Sequence, residues 1–275
     1  MTIATRNRLI RIAIISSALI STIAITCVVV LVTKKTMPDI LFGSRPVPVL
    51  DKFAFFPYSP IASLLSLSFF PLYSVFFLSF LLFGFEKTQT VEITFFAASV
   101  FMVSLESLRL FIPLYELQLF SGFLSMSISR ISLFSRIFFI LSLLSSGIFS
   151  TGQTAQKLGS ALFLLAFVSF SLANAIPINS GNNSSNFLLS PGYPRTLALL
   201  FLILCILTAI SYVILGNNRS SKDYSFISIA SIILLLGYSL IIVCDSWIFF
   251  IVGEFLFFYG TWMYLDRMHR YYLWQ

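Results

Sequence analysis

The chain has 275 residues, of which 58% are hydrophobic and only 10% are charged. Its mean hydropathy is +0.98. In soluble domains roughly a quarter of all residues are charged, because the surface must be covered with polar groups. This composition excludes a soluble enzyme or binding domain. No stretch outside the apolar runs reaches the roughly 50 residues that an independent core requires, so we expect a single integral membrane domain over residues 1–275.

Basic residues outnumber acidic ones, which gives the chain a net charge of +7. The Lys and Arg residues are scattered at the ends of apolar runs and are not clustered as in nucleic-acid-binding proteins. Basic loops of membrane proteins favour the cytoplasmic face and contact anionic lipids there. We therefore expect the lipid bilayer, including its anionic head groups, as the partner. A membrane protein or a small solute is a further candidate, and nucleic acid is not expected.

The apolar residues fall into eight runs, most of them close to the roughly 20 helical residues that cross a hydrocarbon core of about 30 Å. Only helices and closed barrels satisfy their backbone hydrogen bonds in that environment. The pattern predicts an all-α, polytopic transmembrane helix bundle of about eight spans, with seven as the alternative. The runs cover residues 12–33, 61–85, 93 onwards, 131–149, 158–178, 196–215, 225–244 and 247–265.

The first run follows Arg6, Arg8 and Arg11, as the core of a signal sequence would. Residues 12–33 are longer than a usual signal core and lack a small-x-small cleavage pattern, which favours an uncleaved signal-anchor helix. The last run ends in a short basic and aromatic tail, residues 266–275. If all eight runs cross, both termini share a side. The arginines near each end of the chain predict that this side is the cytoplasmic side. The membrane is expected to be a bacterial inner membrane or equivalent.

Three stretches between the runs differ in what they predict. The proline-rich residues 34–60 predict an extended loop. Residues 179–186, rich in Asn and Ser, predict a flexible loop. Residues 114–130 are apolar but interrupted, and could form an interfacial helix, a re-entrant segment or the start of the fourth span. That last choice decides whether the number of spans is odd or even.

Four ionisable residues lie inside the apolar runs: Glu106, Arg109, Arg136 and Glu254. Each such group costs about 2.5–3.5 kcal/mol on insertion scales, so it is a candidate for a ligand site or an ion pathway. Glu106 and Arg109 are three residues apart and share a helix face. They either neutralise one another and hold the third helix in place, or line a polar cavity in which Arg109 contacts an anion.

Glu254 has no basic residue within one helical turn, so any partner must come from another helix. Arg109 or Arg136 could supply it; otherwise a protonated, neutral carboxyl is expected, because an unpaired buried charge is costly. Asn174, inside the fifth run, is interpreted as a residue that forms a hydrogen bond between helices.

The residues that catalysis or metal binding would need are scarce. No nucleophile elbow, HExxH motif or glycine-rich phosphate loop occurs in a usable context. Cys27, Cys205 and Cys244 show no paired spacing, and His269 is the single histidine, which argues against zinc, haem and iron–sulfur sites. We therefore expect no cofactor, and no catalytic residue is identified.

Two functions agree best with this sequence. The first is a transport or permease component that moves a small solute or a proton through a cavity at Glu106, Arg109 and Glu254. The second is a non-catalytic membrane sensing or protein-interaction subunit whose tail contacts a partner in the cytoplasm. A membrane enzyme acting on lipids is the third and weakest hypothesis.

Overall fold

A computed structural model of the protein describes residues 2–33, 59–88, 90–116, 122–150, 157–183, 187–218, 222–244 and 246–273. Within these residues, eight helical segments are long and apolar enough to cross a membrane, which confirms the predicted all-α bundle. The chain is thus a multi-pass membrane protein. The helices are α1 (Ile3–Thr33), α2 (Pro60–Gly84), α3 (Val91–Ser104), α4 (Phe111–Glu116), α5 (Gly122–Phe149), α6 (Leu158–Ala175), α7 (Pro194–Asn218), α8 (Lys222–Ile242) and α9 (Trp247–Leu273).

The third span is not one regular helix. A 3₁₀-helix, Leu105–Leu110, follows α3 and leads directly into the short α4. The fourth span, α5, runs from Gly122 to Phe149, and no proline interrupts it. For residues 122–130, therefore, the start of the fourth span is the correct alternative, whereas residues 117–121 lie outside the described residues.

The predicted flexible loop after α6 is wrong for the residues that the structure describes. Strand β1 (Ile178–Asn183) pairs antiparallel with β2 (Leu189–Pro191) through a register shift. The adjoining apolar side chains of residues 187–189 are buried, and the Leu189 amide donates to Ser129 Oγ over 3.4 Å. These contacts hold the hairpin against α5. Residues 184–186 and residues 34–58 of the proline-rich loop lie outside the described residues.

Helices α3 and α5 run antiparallel and are joined by serine hydroxyls. Three serines on one side of α5 donate to backbone carbonyls of α3, a type of contact worth about 0.6 kcal/mol on average between membrane helices. The bonds run from Ser135 to Met102 (2.8 Å), from Ser142 to Phe95 (2.8 Å) and from Ser146 to Glu92 (3.4 Å).

Helices α8 and α9 form a hairpin in which the two backbones touch. A Cβ atom added at Gly237 would lie 2.3 Å from the Phe257 amide nitrogen, and one at Gly260 would lie 2.5 Å from that of Leu234. Small residues permit this close approach, as in other membrane helix pairs.

The N-terminus of α1 is fastened to the turn between α2 and α3. Arg6 is buried and donates to the carbonyls of Phe85 (2.6 Å), Glu86 (3.2 Å) and Thr88, while Asn7 Nδ2 donates to Glu86 O over 3.0 Å. These bonds satisfy carbonyls that the end of α2 leaves without helical partners. That α1 is an uncleaved signal anchor stays a prediction.

The spans differ greatly in how far their neighbours cover them. In the fourth span, 72% of the central 18-residue apolar segment is buried inside the bundle. The corresponding share is 17% for α6 and 11% for α7. A continuous apolar core formed largely by α2, α3, α8 and α9 fills the interior. The outer faces of α6 and α7 are apolar enough to face lipid hydrocarbon.

Candidate functional site

Glu106 and Arg109 form an ion pair inside the bundle. Arg109 Nε lies 2.9 Å from Glu106 Oε2, and both side chains are fully buried. The two residues belong to the 3₁₀-helix, in which positions three apart are eclipsed, so the carboxylate and the guanidinium stand side by side. The predicted pairing of Glu106 with Arg109 is confirmed.

Arg136 joins this pair from the middle of α5. Its Nε donates to Glu106 Oε1 over 2.9 Å, and its Nη2 donates to Glu106 Oε2 over 3.2 Å. One buried carboxylate therefore bridges two arginines, Arg109 and Arg136. We call these three residues the ion cluster. Its Arg136 contact is the bidentate geometry that gives guanidinium–carboxylate pairs their strength.

Glu254 does not belong to the ion cluster. Of the two alternatives for Glu254, a partner from Arg109 or Arg136 is not seen among the described residues, because both arginines bind Glu106. Glu254 is half-buried on α9, and its Oε1 atom is buried without a hydrogen bond to any residue that the structure describes. The physical reason lies in the packing: α5 faces the 3₁₀-helix, and this contact places Arg136 beside Glu106.

A cavity of about 650 Å³, open along the outer faces of α7 and α8, lies between α5, α7 and α8, and Arg136 is part of its wall. It follows α8 from Ile232 to its end at Ile242, which corresponds to about 15 Å at 1.5 Å per residue. From the middle of the bundle it reaches the end at which β2 lies. Its volume is typical of small-molecule sites, which span about 300–1,000 Å³.

The wall of the cavity is almost entirely apolar. Helix α7 contributes Leu197, Phe201 and Ile206, and α8 contributes Leu235 and Ile242. The Ser239 hydroxyl of the wall donates to its own helix at Leu235 O over 2.8 Å. Such a surface favours a solute with an apolar part. The few polar groups of the wall would set its orientation.

Tyr238 also lines the cavity and was not predicted from sequence. Its ring packs on Phe139 with 4.1 Å between ring centroids. The side chain is 2% exposed, and its hydroxyl has no hydrogen bond to a described residue. A buried hydroxyl without a partner costs about 1–3 kcal/mol, and this one is enclosed by protein atoms. A tyrosine within an apolar run carries no sequence signal for such a position.

The guanidinium of Arg136 also has donor capacity beyond the ion cluster. Both of its hydrogen bonds to Glu106 use Nε and Nη2, and among the described residues Nη1 makes none. Arg136 lines the cavity, whereas the Tyr238 hydroxyl oxygen is enclosed by protein atoms. A charged guanidinium in such a wall can hold an anionic group away from water.

A second polar network lies at the end of the bundle that holds both termini. Glu92, in the first turn of α3, is buried and accepts hydrogen bonds from Tyr224 (3.0 Å) and Tyr272 (2.8 Å). Nearby, the Tyr264 hydroxyl lies 2.9 Å from that of Tyr212. The network ties α3 to the start of α8 and the end of α9. Glu92 stands at the boundary of an apolar run, where an acidic residue is typical of a first helical turn.

Asn174 takes part in a contact between helices, as predicted. Arg130 Nη1, on α5, donates to Asn174 Oδ1, on α6, over 3.1 Å. Both groups lie near the surface, and neither Arg130 nor Asn174 is part of the cavity wall. Arg130 thus provides a natural comparison for Arg136 on the same helix.

The chain is similar to an uncharacterized protein of Treponema pallidum (strain Nichols). The two are 23% identical over an alignment of 346 residues that covers both chains completely. No protein-family model matches the chain. No solved structure matches it either.

Proposed function

We propose that this membrane protein is a transport or permease component that binds a small solute in the cavity between α5, α7 and α8. The observation that supports the proposal is the position of Arg136. It lies near the middle of α5, pairs with Glu106 and lines a cavity whose wall is almost entirely apolar. Many secondary transporters bind their substrates near the bilayer midplane, where a charged group is retained for that purpose.

The ion cluster offers a way to couple binding to a change of shape. An anion at Arg136 competes with Glu106 for the guanidinium, whereas Arg109 keeps Glu106 neutralised through the 2.9 Å contact. Glu106 and Arg109 lie in a 3₁₀-helix, a form that often marks a hinge when it interrupts a longer helix. In the proposed cycle, the solute favours the state in which the contact between α5 and the 3₁₀-helix is loosened.

We also propose an orientation with both termini in the cytoplasm. Several basic residues lie at the end of the bundle that holds both termini. Arg6 binds the turn after α2, and Arg267 lies 3.6 Å from Asp223 at the start of α8. Lys87 and Arg270 belong to the same end. This surplus supports the positive-inside arrangement, contact with anionic head groups and a bacterial inner membrane as the location.

A ligand sensor is the second candidate, and the packing of α8 favours it. The same helix that lines the cavity touches α9 backbone to backbone at Gly237. Helix α9 ends in the basic tail, so a ligand that moves α8 also moves the segment available to a cytoplasmic protein. In this alternative the cavity is occupied but no solute crosses.

The experiment that separates the two candidates is uptake into vesicles that contain the purified protein. We expect the wild type to move at least one member of a panel of small organic anions, and Arg136→Gln to abolish that flux. Arg130→Gln is the matched control, because it removes an arginine from α5 outside the cavity wall. Flux that is equal in both variants would refute the role of Arg136. Binding to the wild type without any flux would favour the sensor.

A further inference from the structure

We infer that Glu254 is a proton-binding site that faces the hydrocarbon of the bilayer, and that its proton is the coupling ion of the transport cycle. The second part of this inference rests on the proposed function, and the first part does not. Glu254 lies inside a span and forms no ion pair within the part of the chain that the structure describes. Its Oε1 atom is buried and has no hydrogen bond there either.

Glu254 lies on a side of α9 that the neighbouring helices cover only in part. It is about 10 Å along the helix axis from Trp247, at 1.5 Å per residue, and Trp247 begins α9 with a ring suited to the membrane interface. One turn beyond Glu254, Phe258 packs on Phe76 and Phe77 of α2. The exposed residues nearest to Glu254 along α9 are Ile251, Val252 and Phe255. The carboxyl therefore opens beside α2 to a surface that lipid hydrocarbon covers.

The two helices that pack along α9 bring no charge to this position. Helix α2 contains no Asp, Glu, Lys, Arg or His, and its Tyr73 hydroxyl is hydrogen-bonded to Thr261 Oγ1 over 2.6 Å. In α8, Lys222 and Asp223 stand in the first turn, at the opposite end of the hairpin from Glu254. Neither helix therefore supplies a cation that would keep the carboxyl ionised.

Helix α5 reaches the next turn of α9, where the ring centroids of Phe139 and Phe257 are 6.3 Å apart. The arginines of the ion cluster do not neutralise Glu254, because both bind Glu106. Further titratable groups of the neighbouring elements are buried and carry no positive charge: Glu92, Tyr212, Tyr224, Tyr238, Tyr264 and Cys244.

These surroundings favour the neutral form of the carboxyl. An ionised carboxylate costs far more than a neutral acid in an apolar medium, so Glu254 holds a proton at neutral pH. It can release this proton only in a state of the bundle in which water or a cation reaches the carboxyl. Intramembrane carboxyls that gain and lose a proton in this way form the proton relays of pumps and transporters.

Glu254 lies beside a contact that links α9 to the wall of the cavity. A Cβ atom added at Gly253 would lie 3.2 Å from the Ile241 amide nitrogen. Ser239 and Ile242, which flank Ile241 on α8, line the cavity. A movement of α9 that brings Glu254 to water therefore also moves α8. This contact gives the proton and the solute a common moving part.

The proton site is tested with dicyclohexylcarbodiimide at pH 7, on the purified protein in phosphatidylcholine vesicles, followed by peptide mass spectrometry. This apolar reagent enters the bilayer and reacts with a protonated carboxyl. The acid proton moves to one nitrogen, the carboxyl oxygen bonds to the central carbon, and the adduct rearranges to an N-acylurea without a leaving group. We expect Glu254 to react about tenfold or more faster than ion-paired Glu106 or surface Asp266, because paired and water-exposed carboxyls are ionised at pH 7.

A water-soluble, cationic carbodiimide should show the reverse preference, because it stays out of the hydrocarbon. Glu254→Gln should lose the adduct, but the comparison of reagents uses the wild type and does not depend on the folding of this variant. The absence of an adduct at Glu254, or equal labelling of Glu254 by both reagents, would overturn the proton site.

The coupling is tested by uptake of the same panel of organic anions, with the signal from protein-free vesicles subtracted. We expect an acidic exterior to accelerate wild-type uptake and Glu254→Gln to lose this response. Glu86→Gln is the matched control, because it removes an exposed glutamate from the turn after α2 and should keep the response. Uptake by Glu254→Gln that still follows the pH gradient would overturn the coupling.

Failure of the inference and failure of the proposed function give different results. If Glu254 is labelled as described but no anion of the panel crosses, the proton site stands and transport is refuted. If an anion crosses and Glu254 is not labelled, transport stands and the proton site is wrong.

Discussion

Arg136 Nε donates to Glu106 Oε1 over 2.9 Å, and this bond joins the middle of α5 to the 3₁₀-helix that interrupts the third span. The contact is buried on both sides and is extended by a second bond from Nη2. It links two spans through charge in the interior of a bundle whose other interhelical bonds largely use hydroxyl groups. Its loss should therefore be among the most damaging changes in the chain.

Replacement of Glu106 by Gln tests this expectation. The variant leaves two arginines buried without their shared carboxylate, and removing one partner of a buried ion pair costs about 3–5 kcal/mol. We expect a large fall in the midpoint of thermal unfolding in detergent. Arg270→Gln is the control, because its pair with Asp266 is exposed and worth at most about 1 kcal/mol. Similar losses in the two variants would contradict the buried cluster.

The serine contacts between α5 and α3 predict a smaller effect. Ser142→Ala removes the 2.8 Å bond to Phe95 O and should cost about 0.6 kcal/mol and at most about 1.7 kcal/mol, the average and the maximum measured for hydrogen bonds between membrane helices. Ser127→Ala, whose hydroxyl bonds only within α5 at Phe123 O, should change stability less. Unfolding in mixed micelles can measure both values. A greater loss in Ser127→Ala would speak against these contacts.

The close approach of α8 and α9 predicts that one methyl group is not tolerated. Gly237→Ala would place Cβ 2.3 Å from a backbone nitrogen of α9, so the hairpin must open, at a cost of about 3 kcal/mol. Gly159→Ala is the matched control, because nothing lies within 4 Å of the added carbon. The yield of monodisperse protein and its thermal stability should fall in the first variant alone.

The main features of the fold follow from the sequence because bilayer thickness sets the length of each apolar run. The eight spans and the pairing of Glu106 with Arg109 need only the 3.6-residue period and the cost of charge in hydrocarbon. The local geometry of the third span does not follow from the sequence. The 3₁₀-helix that eclipses these two residues depends on contacts with other spans, and spacing along the chain cannot show it.

The partner of Arg136 could not be found from the sequence for a related reason. Glu106 and Glu254 are both carboxylates within apolar runs, and the choice between them depends on which helices are neighbours. The serine bonds from α5 to α3 decide it, because they place α5 beside the third span and so beside Glu106. Tyr238 was missed because its distinguishing feature, a buried hydroxyl without a partner, exists only in the folded bundle.

Topology can be tested with two cysteines in a chain from which Cys27, Cys205 and Cys244 have been removed. Tyr193 lies between β2 and α7 and is 65% exposed, whereas Arg270 lies near the end of α9. With eight spans, Tyr193→Cys and Arg270→Cys lie on opposite sides of the membrane. A membrane-impermeant maleimide added to spheroplasts should label only the first if the termini are cytoplasmic. Labelling of both or neither before lysis would contradict eight spans.

Glu254 should respond in the opposite way to Glu106. Its buried Oε1 atom has no hydrogen bond to a described residue, so Glu254→Leu removes the desolvation cost of the carboxyl without breaking a contact seen in the structure. We expect an unchanged or raised thermal midpoint, in contrast to the loss in Glu106→Gln. If Glu254→Leu is stable but solute flux falls, the carboxyl serves transport. A stability loss above about 1 kcal/mol would show that it has a structural partner, since surface substitutions away from specific contacts change stability by about 0.5 kcal/mol or less.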